Sequence, residues 1–267
     1  PAMELTIHLI LMLPAVAFLA GTSDGMAGGG GLLTIPALMA AGIPPVSAIA
    51  TNKLQSSFGT ASAFLAYYRK GHVDVRRFAL PAASAFVGSV GGAIAVQLID
   101  SSFLGILVPV LLIVMALYFL LAPRMSDEDR HARIGMVGVS GVSVVIGFYD
   151  GFFGPGTGSF FTTMFMALAG LGLIRAIAAT KMLNFATNIA GLSAMLAGGQ
   201  VIWVLGLAMA VANVAGSQVG ALLAMRYHGR GVRPLLVVMS VALTVKLLSD
   251  PANPLRQMLP LSPLLFR

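Results

Sequence analysis

The chain has 267 residues, of which 58% are hydrophobic and only 9% are charged, and its mean hydropathy is +0.93. A soluble domain usually carries about a quarter charged residues, so this composition excludes a water-soluble protein and indicates an integral membrane protein. The formal net charge is +7, but ten of the sixteen Lys and Arg residues lie in three short loops. This distribution is typical of membrane topology signals and argues against nucleic-acid binding. The absence of cysteine excludes disulfides and thiolate metal sites.

Ten apolar helical segments are predicted along the chain. Those of the first half lie at about 5–22, 31–42, 46–68, 77–99 and 103–122, and those of the second half at about 134–151, 158–170, 174–198, 202–226 and 232–248. The runs are dense and do not alternate, which favours transmembrane helices over a β-barrel. Segments 31–42 and 158–170 are shorter than the roughly 17 residues of a short span, so we interpret them as half-helices or re-entrant pieces.

The most polar stretch of the chain, Arg124–Arg133, divides it into two halves. We predict a first repeat at 1–122, a cytoplasmic linker at 123–133, a second repeat at 134–248 and a proline-containing tail at 249–267. We take Met3 as the natural start and expect no cleavable signal peptide.

Each half contains an aspartate in a glycine-broken apolar run. The first run spans Gly21–Gly31 and the second Gly147–Gly158. Further matches lie at 49–55 with 178–184, aligned on their threonines, and at 88–93 with 216–221. The residues in register between the two runs are Asp24 and Asp150, Gly25 and Gly151, Gly28 and Gly154, and Gly30 and Gly156. The two halves therefore contain the same elements in the same order, as the internal repeats of secondary transporters do.

The loop charges predict that the two repeats have opposite orientations in the membrane. The loop at 69–77 carries four Lys and Arg residues, whereas the matching loop at 198–201 carries none. After the following segment the difference reverses, with only Asp100 in the first half and three arginines at 226–233 in the second. By the positive-inside rule, matched loops lie on opposite sides of the membrane, which is typical of inverted-topology repeats. The fold class predicted is thus all-α transmembrane, with two inverted repeats of about five segments each and glycine-broken half-helices near the midplane.

Asp24 and Asp150 are the first candidates for function. Ionised carboxylates at membrane depth are unfavourable unless they are paired or hydrated, and they often mark coupling sites. We predict that at least one of them binds a coupling proton or cation. The alternative is that each aspartate caps the helix that follows it by accepting glycine N–H groups.

The glycines of the two breaks are candidates for binding an anion. Each tract precedes a short helix whose N-terminus carries a partial positive charge, and two such N-termini near the midplane would suit an anion. The alternative is close helix packing, for which small residues are common in membranes. The candidates here are Gly28, Gly29, Gly30, Gly154, Gly156 and Thr157.

A polar stripe on one long helix of each half completes the predicted substrate site. The first contains Thr51, Asn52, Lys53 and Gln55, and the second contains Thr180, Lys181, Asn184 and Asn188. Residues 51 and 55 share a helix face, as do 180, 184 and 188. The lysines would neutralise an anion or pair with the aspartates. The alternative is that they reach out to the membrane surface.

The sequence offers no catalytic triad, zinc motif or histidine cluster, so we expect no enzyme activity, no metal and no cofactor.

These residues resemble the TauE/SafE family, also called the four-toluene-sulfonate uptake permease family. In the first half the resemblance rests on Asp24–Gly31 with Pro36, on residues 49–55 with Gly59-Thr60, and on Gly71–Asp74. In the second half it rests on Asp150–Gly158, on Ala179–Lys181 and on Asn184–Asn188. Together it covers residues from about 5 to 248.

The resemblance implies a multi-pass carrier of the bacterial inner membrane that moves small sulfur-containing anions such as sulfite, sulfoacetate or other sulfonates. It implies secondary transport driven by the proton gradient, and we expect export. Cargo, direction, stoichiometry and oligomeric state are left open by the residues. The alternatives are an uncoupled small-anion channel, which intramembrane aspartates fit poorly because they repel anions, and a membrane-embedded enzyme or assembly factor.

Overall fold

The computed structural model describes residues 7–121, 128–129 and 131–227, and the regular secondary structure of these residues is entirely α-helical. The helices are α1 Ile7–Ala27, α2 Gly31–Ala40, α3 Pro45–Arg69, α4 Val75–Gln97, α5 Ser101–Leu121, α6 Met136–Phe152, α7 Thr157–Ala167, α8 Leu173–Ala197 and α9 Trp203–Tyr227. They match nine of the predicted segments within about three residues at most ends. The tenth predicted segment, 232–248, and the predicted tail lie outside the described residues.

The largest difference from the predicted bounds is at the end of α1, which continues to Ala27 rather than ending at residue 22. Gly21 and Gly25 do not break the helix, because they serve its packing against α9. A methyl group on Gly21 would collide with the carbonyl oxygen of Asn213, and one on Gly25 with that of Ser217. Small residues allow such close backbone approach between membrane helices.

The main helix contacts in the bundle join a helix of one half to a helix of the other half. In the first half α1 packs on α9 and α3 packs on α9, whereas in the second half α6 packs on α4 and α8 packs on α4. The long helices α3 and α8 also pack on each other, so both lie at the centre of the bundle. Each of these four contacts therefore has a counterpart in which the first and second halves are interchanged.

The exterior of the bundle is apolar and its centre is polar. Large apolar side chains such as Leu98, Val204 and Val211 are 82%, 79% and 75% exposed, whereas Lys53 and Lys181 are both 0% exposed. An apolar exterior around buried charged side chains, which are themselves packed among apolar ones, suits a hydrocarbon solvent. Among the described residues, α4 and α9 meet the length and hydropathy of membrane-crossing helices.

One residue of the predicted linker contacts the start of α8. The Asp129 carboxylate accepts hydrogen bonds of 2.6 Å from Gly172 N–H and from the Arg175 guanidinium. The Gly172 N–H, and more weakly Arg175, hold the pKa of the Asp129 carboxyl below its ordinary value. Both side chains of this ion pair are about half exposed, at 52% for Arg175 and 51% for Asp129.

Candidate functional site

The two glycine breaks meet at the centre of the bundle. Gly28, with φ +93°, lies so close to the second break that a Cβ atom on it would stand 2.6 Å from Gly158 Cα. Gly31 lies against Pro155 in the same way, with 3.3 Å between its ideal Cβ and Pro155 Cα. At Gly28 both the left-handed backbone and the contact require glycine. The predicted meeting of the interrupted segments is therefore present in the structure.

Asp24 and Asp150 lie in the last turn of α1 and in the last turn of α6, before the breaks. The residues at the N-caps of the following helices are Gly30 and Gly156, without side-chain caps. The alternative interpretation of the aspartates as helix caps is therefore wrong. The carboxylates are instead held by groups on other helices.

Two ion pairs connect the halves crosswise. Lys53 Nζ, from α3, lies 2.8 Å from Asp150 Oδ1, and Lys181 Nζ, from α8, lies 3.0 Å from Asp24 Oδ2. The side chains are 1% and 6% exposed in the first pair, and 0% and 16% in the second. Each lysine thus neutralises the aspartate of the other half. The alternative that the lysines reach the membrane surface is wrong, because both are fully buried.

The two lysines occupy equivalent positions in α3 and α8. α3 begins at residue 45 and α8 at residue 173, and both have 25 residues, so Lys53 and Lys181 are each the ninth residue of their helix. The alignment of Thr51 with Thr180 is therefore shifted by one residue, and Asn52 is the counterpart of Thr180. The hydrogen bonds agree, because Thr34 bonds to Asn52 as Thr162 bonds to Thr180.

The second break is two residues longer than the first. Gly28 and Gly154 correspond in both sequence and backbone, with φ +93° and +96°. After the breaks, Thr34 donates to the carbonyl of Gly30 and Thr162 to that of Gly158. Gly30 therefore corresponds to Gly158 in the structure, and the sequence match of Gly30 with Gly156 is two residues out of register.

A small cavity of about 30 Å³ lies where the breaks, α3 and α8 meet. This volume holds one or two water molecules and is too small for an oxyanion of sulfur. The predicted residues that line it are Asp24, Gly29, Gly30, Asn52, Asp150, Gly154, Gly156, Thr157, Asn184 and Asn188. The structure thus brings most of the predicted site residues to one cavity.

The remaining predicted site residues lie behind this cavity. Thr51 accepts a hydrogen bond from Ile202 N–H, and Gln55 is held by Asn52 and Asn213. Because both polar ends of Gln55 are used, it positions Asn52 and does not face the cavity. Thr180 is hydrogen-bonded to Thr162, and Gly28 packs on Gly158. Lys53 and Lys181 do not line the cavity themselves, but each is paired with an aspartate that does.

Sequence reasoning missed four residues that line the cavity, which are Gly31, Ser56, Thr60 and Gly158. Ser56 and Thr60 follow Asn52 at intervals of four, on the helix face that corresponds to Thr180, Asn184 and Asn188. The signal was available, but the one-residue shift in the repeat alignment placed the stripe on residues 51 and 55.

Several buried polar atoms around the cavity have no hydrogen-bond partner. They include two acceptors, Asp150 Oδ2 and Asn184 Oδ1, and the donor Lys53 Nζ, whose close contact with Asp150 Oδ1 is not aligned as a hydrogen bond. Buried polar groups are almost always satisfied, so such atoms call for a ligand, water or proton. Within the described ranges, His, Asp and Glu side chains form no group of three that could hold a metal ion.

Comparison with known proteins gives a family match and several similar relatives. The family model "Sulfite exporter TauE/SafE" matches residues 13–247. A probable membrane transporter protein ORF9 of Sinorhizobium sp is 45% identical over 254 residues, covering 95% of this chain and 97% of that protein. The probable membrane transporter YfcA of Escherichia coli strain K12 is 44% identical over 236 residues, covering 88% of each chain.

A probable membrane transporter protein of Haemophilus influenzae is 40% identical over 250 residues, covering 93% of this chain and 98% of that protein. No solved structure matches the chain. The family match spans most of the chain, and the relatives are similar along nearly their whole length. The chain therefore belongs to the TauE/SafE family and is a membrane transporter.

Proposed function

We propose that this protein is a proton-coupled secondary transporter of small sulfur-containing anions, such as sulfite, sulfoacetate or another sulfonate, and that it exports them across the bacterial inner membrane. The observation that carries the proposal is the pair of buried Lys–Asp ion pairs where the two glycine breaks meet. Buried ionisable residues at membrane depth mark ion and substrate pathways. The description of the family as sulfite exporters supports the substrate class and the direction.

The two repeats have inverted topology in this proposal. The exchange of helix partners supports it, because α1 on α9 and α6 on α4 are equivalent contacts under a two-fold rotation that interchanges the halves. The opposite charges of matched loops support an axis in the membrane plane. Rocking of α1 and α6 about the central helices would then open the site to one side at a time.

The anion binds, in this proposal, to the cavity between the breaks. Amide groups of Asn52, Asn184 and Asn188 supply neutral donors, whereas the Thr157 hydroxyl lines the cavity and donates to the carbonyl of Gly154. The lysines supply positive charge, and the N-termini of α2 and α7 add partial positive charge. Thr51, Gln55 and Thr180 position these groups from behind.

We assign the structure to a state of this cycle that has no room for the cargo, because the cavity has a volume of only about 30 Å³. Separation of a lysine from its aspartate would both free a cation and enlarge the space. This links substrate binding to the ion pairs, which an open anion pore would not need.

The proposal is tested by flux into proteoliposomes that contain the purified protein. Uptake of sulfite or sulfoacetate should rise when a pH gradient is imposed and should be lost or uncoupled in Asp24→Asn and Asp150→Asn. Arg175→Gln, which breaks a half-exposed ion pair and does not line the cavity, is a control that should retain the dependence on pH. Currents that follow voltage without dependence on the pH gradient would identify a channel instead, and flux of neither anion would refute the substrate class.

A further inference from the structure

Among the residues that the structure describes, the four charged side chains at the centre of the bundle sum to zero. Asp150 is faced by Lys53 from α3, and Asp24 by Lys181 from α8. The other titratable group beside Asp150 is Tyr149, whose hydroxyl donates 2.7 Å to the carbonyl of Pro155. Helix α7 carries no ionisable side chain, and α4 carries arginines only in its first turn.

A second tyrosine completes this inventory on the other side. The Tyr67 hydroxyl, from α3, donates 2.9 Å to the carbonyl of Gly25, close to Asp24. Both tyrosine hydroxyls are therefore engaged with backbone carbonyls. Within the described part of the chain, the neutrality of this centre therefore depends on the two ion pairs.

An anion that enters this centre alone would give it a net negative charge. Uncompensated charge in a low-dielectric interior is strongly unfavourable, so the site admits an anion only together with a positive charge. The unpartnered atoms indicate where each goes. Lys53 Nζ has unused donors for anion oxygens, and Asp150 Oδ2 is an unused acceptor beside the cavity.

We propose that the centre binds one proton for each negative charge of the anion, and that Asp150 Oδ2 takes the first of these protons. The proposal rests on the substrate class and the proton coupling of the proposed function and adds their stoichiometry. Because the anion and its protons occupy the centre together, export by this route is driven by the anion's own concentration gradient and carries the protons out with it. In the bound state the Lys53 ammonium pairs with the anion and Asp150 is a neutral carboxylic acid. One anion charge and one proton enter, and no charge is left over.

Protonation of Asp150 also supplies a donor for the second acceptor that lacks a hydrogen bond. The O–H of a carboxylic acid is a donor, and Asn184 Oδ1, which lacks a hydrogen bond, lines the same cavity. Asp24 is less suited to take the first proton, because its side chain is 16% exposed and its Oδ2 already accepts a hydrogen bond from Lys181. The second pair supplies the second proton when the anion carries two charges.

The experiment uses three two-carbon sulfonates that differ in net charge near neutral pH. Taurine is neutral overall, isethionate carries one negative charge and sulfoacetate carries two. Calorimetric titration of the purified protein in buffers of different ionisation enthalpy gives the number of protons taken up on binding. The expected uptake is about zero, one and two protons.

Asp150→Asn and the matched variant Asp24→Asn then identify the carboxyl group. With isethionate, Asp150→Asn should bind without proton uptake, because a neutral side chain already balances the charge. Asp24→Asn should still take up about one proton. Loss of the proton in Asp24→Asn and its retention in Asp150→Asn would overturn the assignment to Asp150.

The wild-type series decides the charge rule without any variant. Binding of isethionate or sulfoacetate with no proton uptake would overturn the rule and leave the proposed substrate class intact. Binding of none of the three and of no sulfite either would overturn the proposed function, and this inference with it.

Discussion

The Lys53–Asp150 pair should behave as one energetic unit, and a double-mutant cycle measures this. The change is Lys53→Met, Asp150→Asn and the two together. At an effective dielectric constant of about 20, charges 2.8 Å apart attract by about 6 kcal/mol. Removing one partner of a buried pair leaves the other charge uncompensated and typically costs about 3–5 kcal/mol.

The double variant should be much closer to the wild type than the sum of the single variants predicts. Neither charge remains, so the penalty of the unpaired ion disappears and only changed packing and hydrogen bonding are left. We expect a coupling free energy of at least about 2 kcal/mol, because the side chains are only 1% and 6% exposed.

The assay is reversible unfolding in mixed micelles with increasing SDS, followed by the far-ultraviolet circular dichroism of the helices. Arg175→Gln is the control, since it breaks an ion pair with Asp129 that is about half exposed and should cost no more than about 1 kcal/mol. Additive free energies of unfolding in the cycle, with coupling below about 0.5 kcal/mol, would refute the argument that the pair is buried and mutually neutralising.

Three further outcomes are expected. Gly28→Ala should lower the melting temperature far more than Gly42→Ala, because both sites have positive φ but only the first would also clash, at 2.6 Å, with the opposite break; equal effects would contradict the contact. Tyr67→Phe should cost about 1–2 kcal/mol of stability by leaving the buried carbonyl of Gly25 without its 2.9 Å hydrogen bond, and an unchanged unfolding curve would show that this bond is not needed. Asp129→Asn should lower the melting temperature above about pH 4, and its difference from the wild type should vanish as the pH falls further, because a carboxyl whose pKa is lowered by folding stabilises only while ionised; a difference that persists in acid would contradict this.

The helices were the most predictable part of this protein. Long apolar runs interrupted by Gly, Pro and charged loops predict the approximate bounds of the nine helices in the described residues, because lipid requires complete helical hydrogen bonding. The early end predicted for α1 was wrong because Gly21 and Gly25 look like helix breakers in the sequence. Only the neighbouring α9 shows that they are contact points.

The register of the repeat was less predictable. Aligning Thr51 with Thr180 matches residue types, but it places Lys53 opposite Met182. Met182 has no charge, so this alignment gives the two lysines different positions in their helices. A requirement that both buried aspartates receive a cation would have shifted the alignment by one residue. The shifted alignment identifies the face of α3 that lines the cavity, which carries Ser56 and Thr60.

The partners of the aspartates could not be predicted from the sequence alone. Asp24 could pair with the lysine of its own half or with that of the other, and the choice depends on how α3 and α8 cross. Side-chain patterns along one helix do not specify that crossing. The difference of two residues between the breaks is equally hidden, because glycine-rich turns accept insertions without a change in flanking pattern.

The crosswise ion pairs have a consequence for biosynthesis. Lys53 leaves the ribosome about a hundred residues before Asp150, so at ordinary translation rates roughly 5–20 s pass before its final partner is made. During that interval the nascent first half holds a lysine and an aspartate whose native partners do not yet exist. Insertion of the first half must therefore end in a provisional arrangement of these two charges, which changes when the second half arrives.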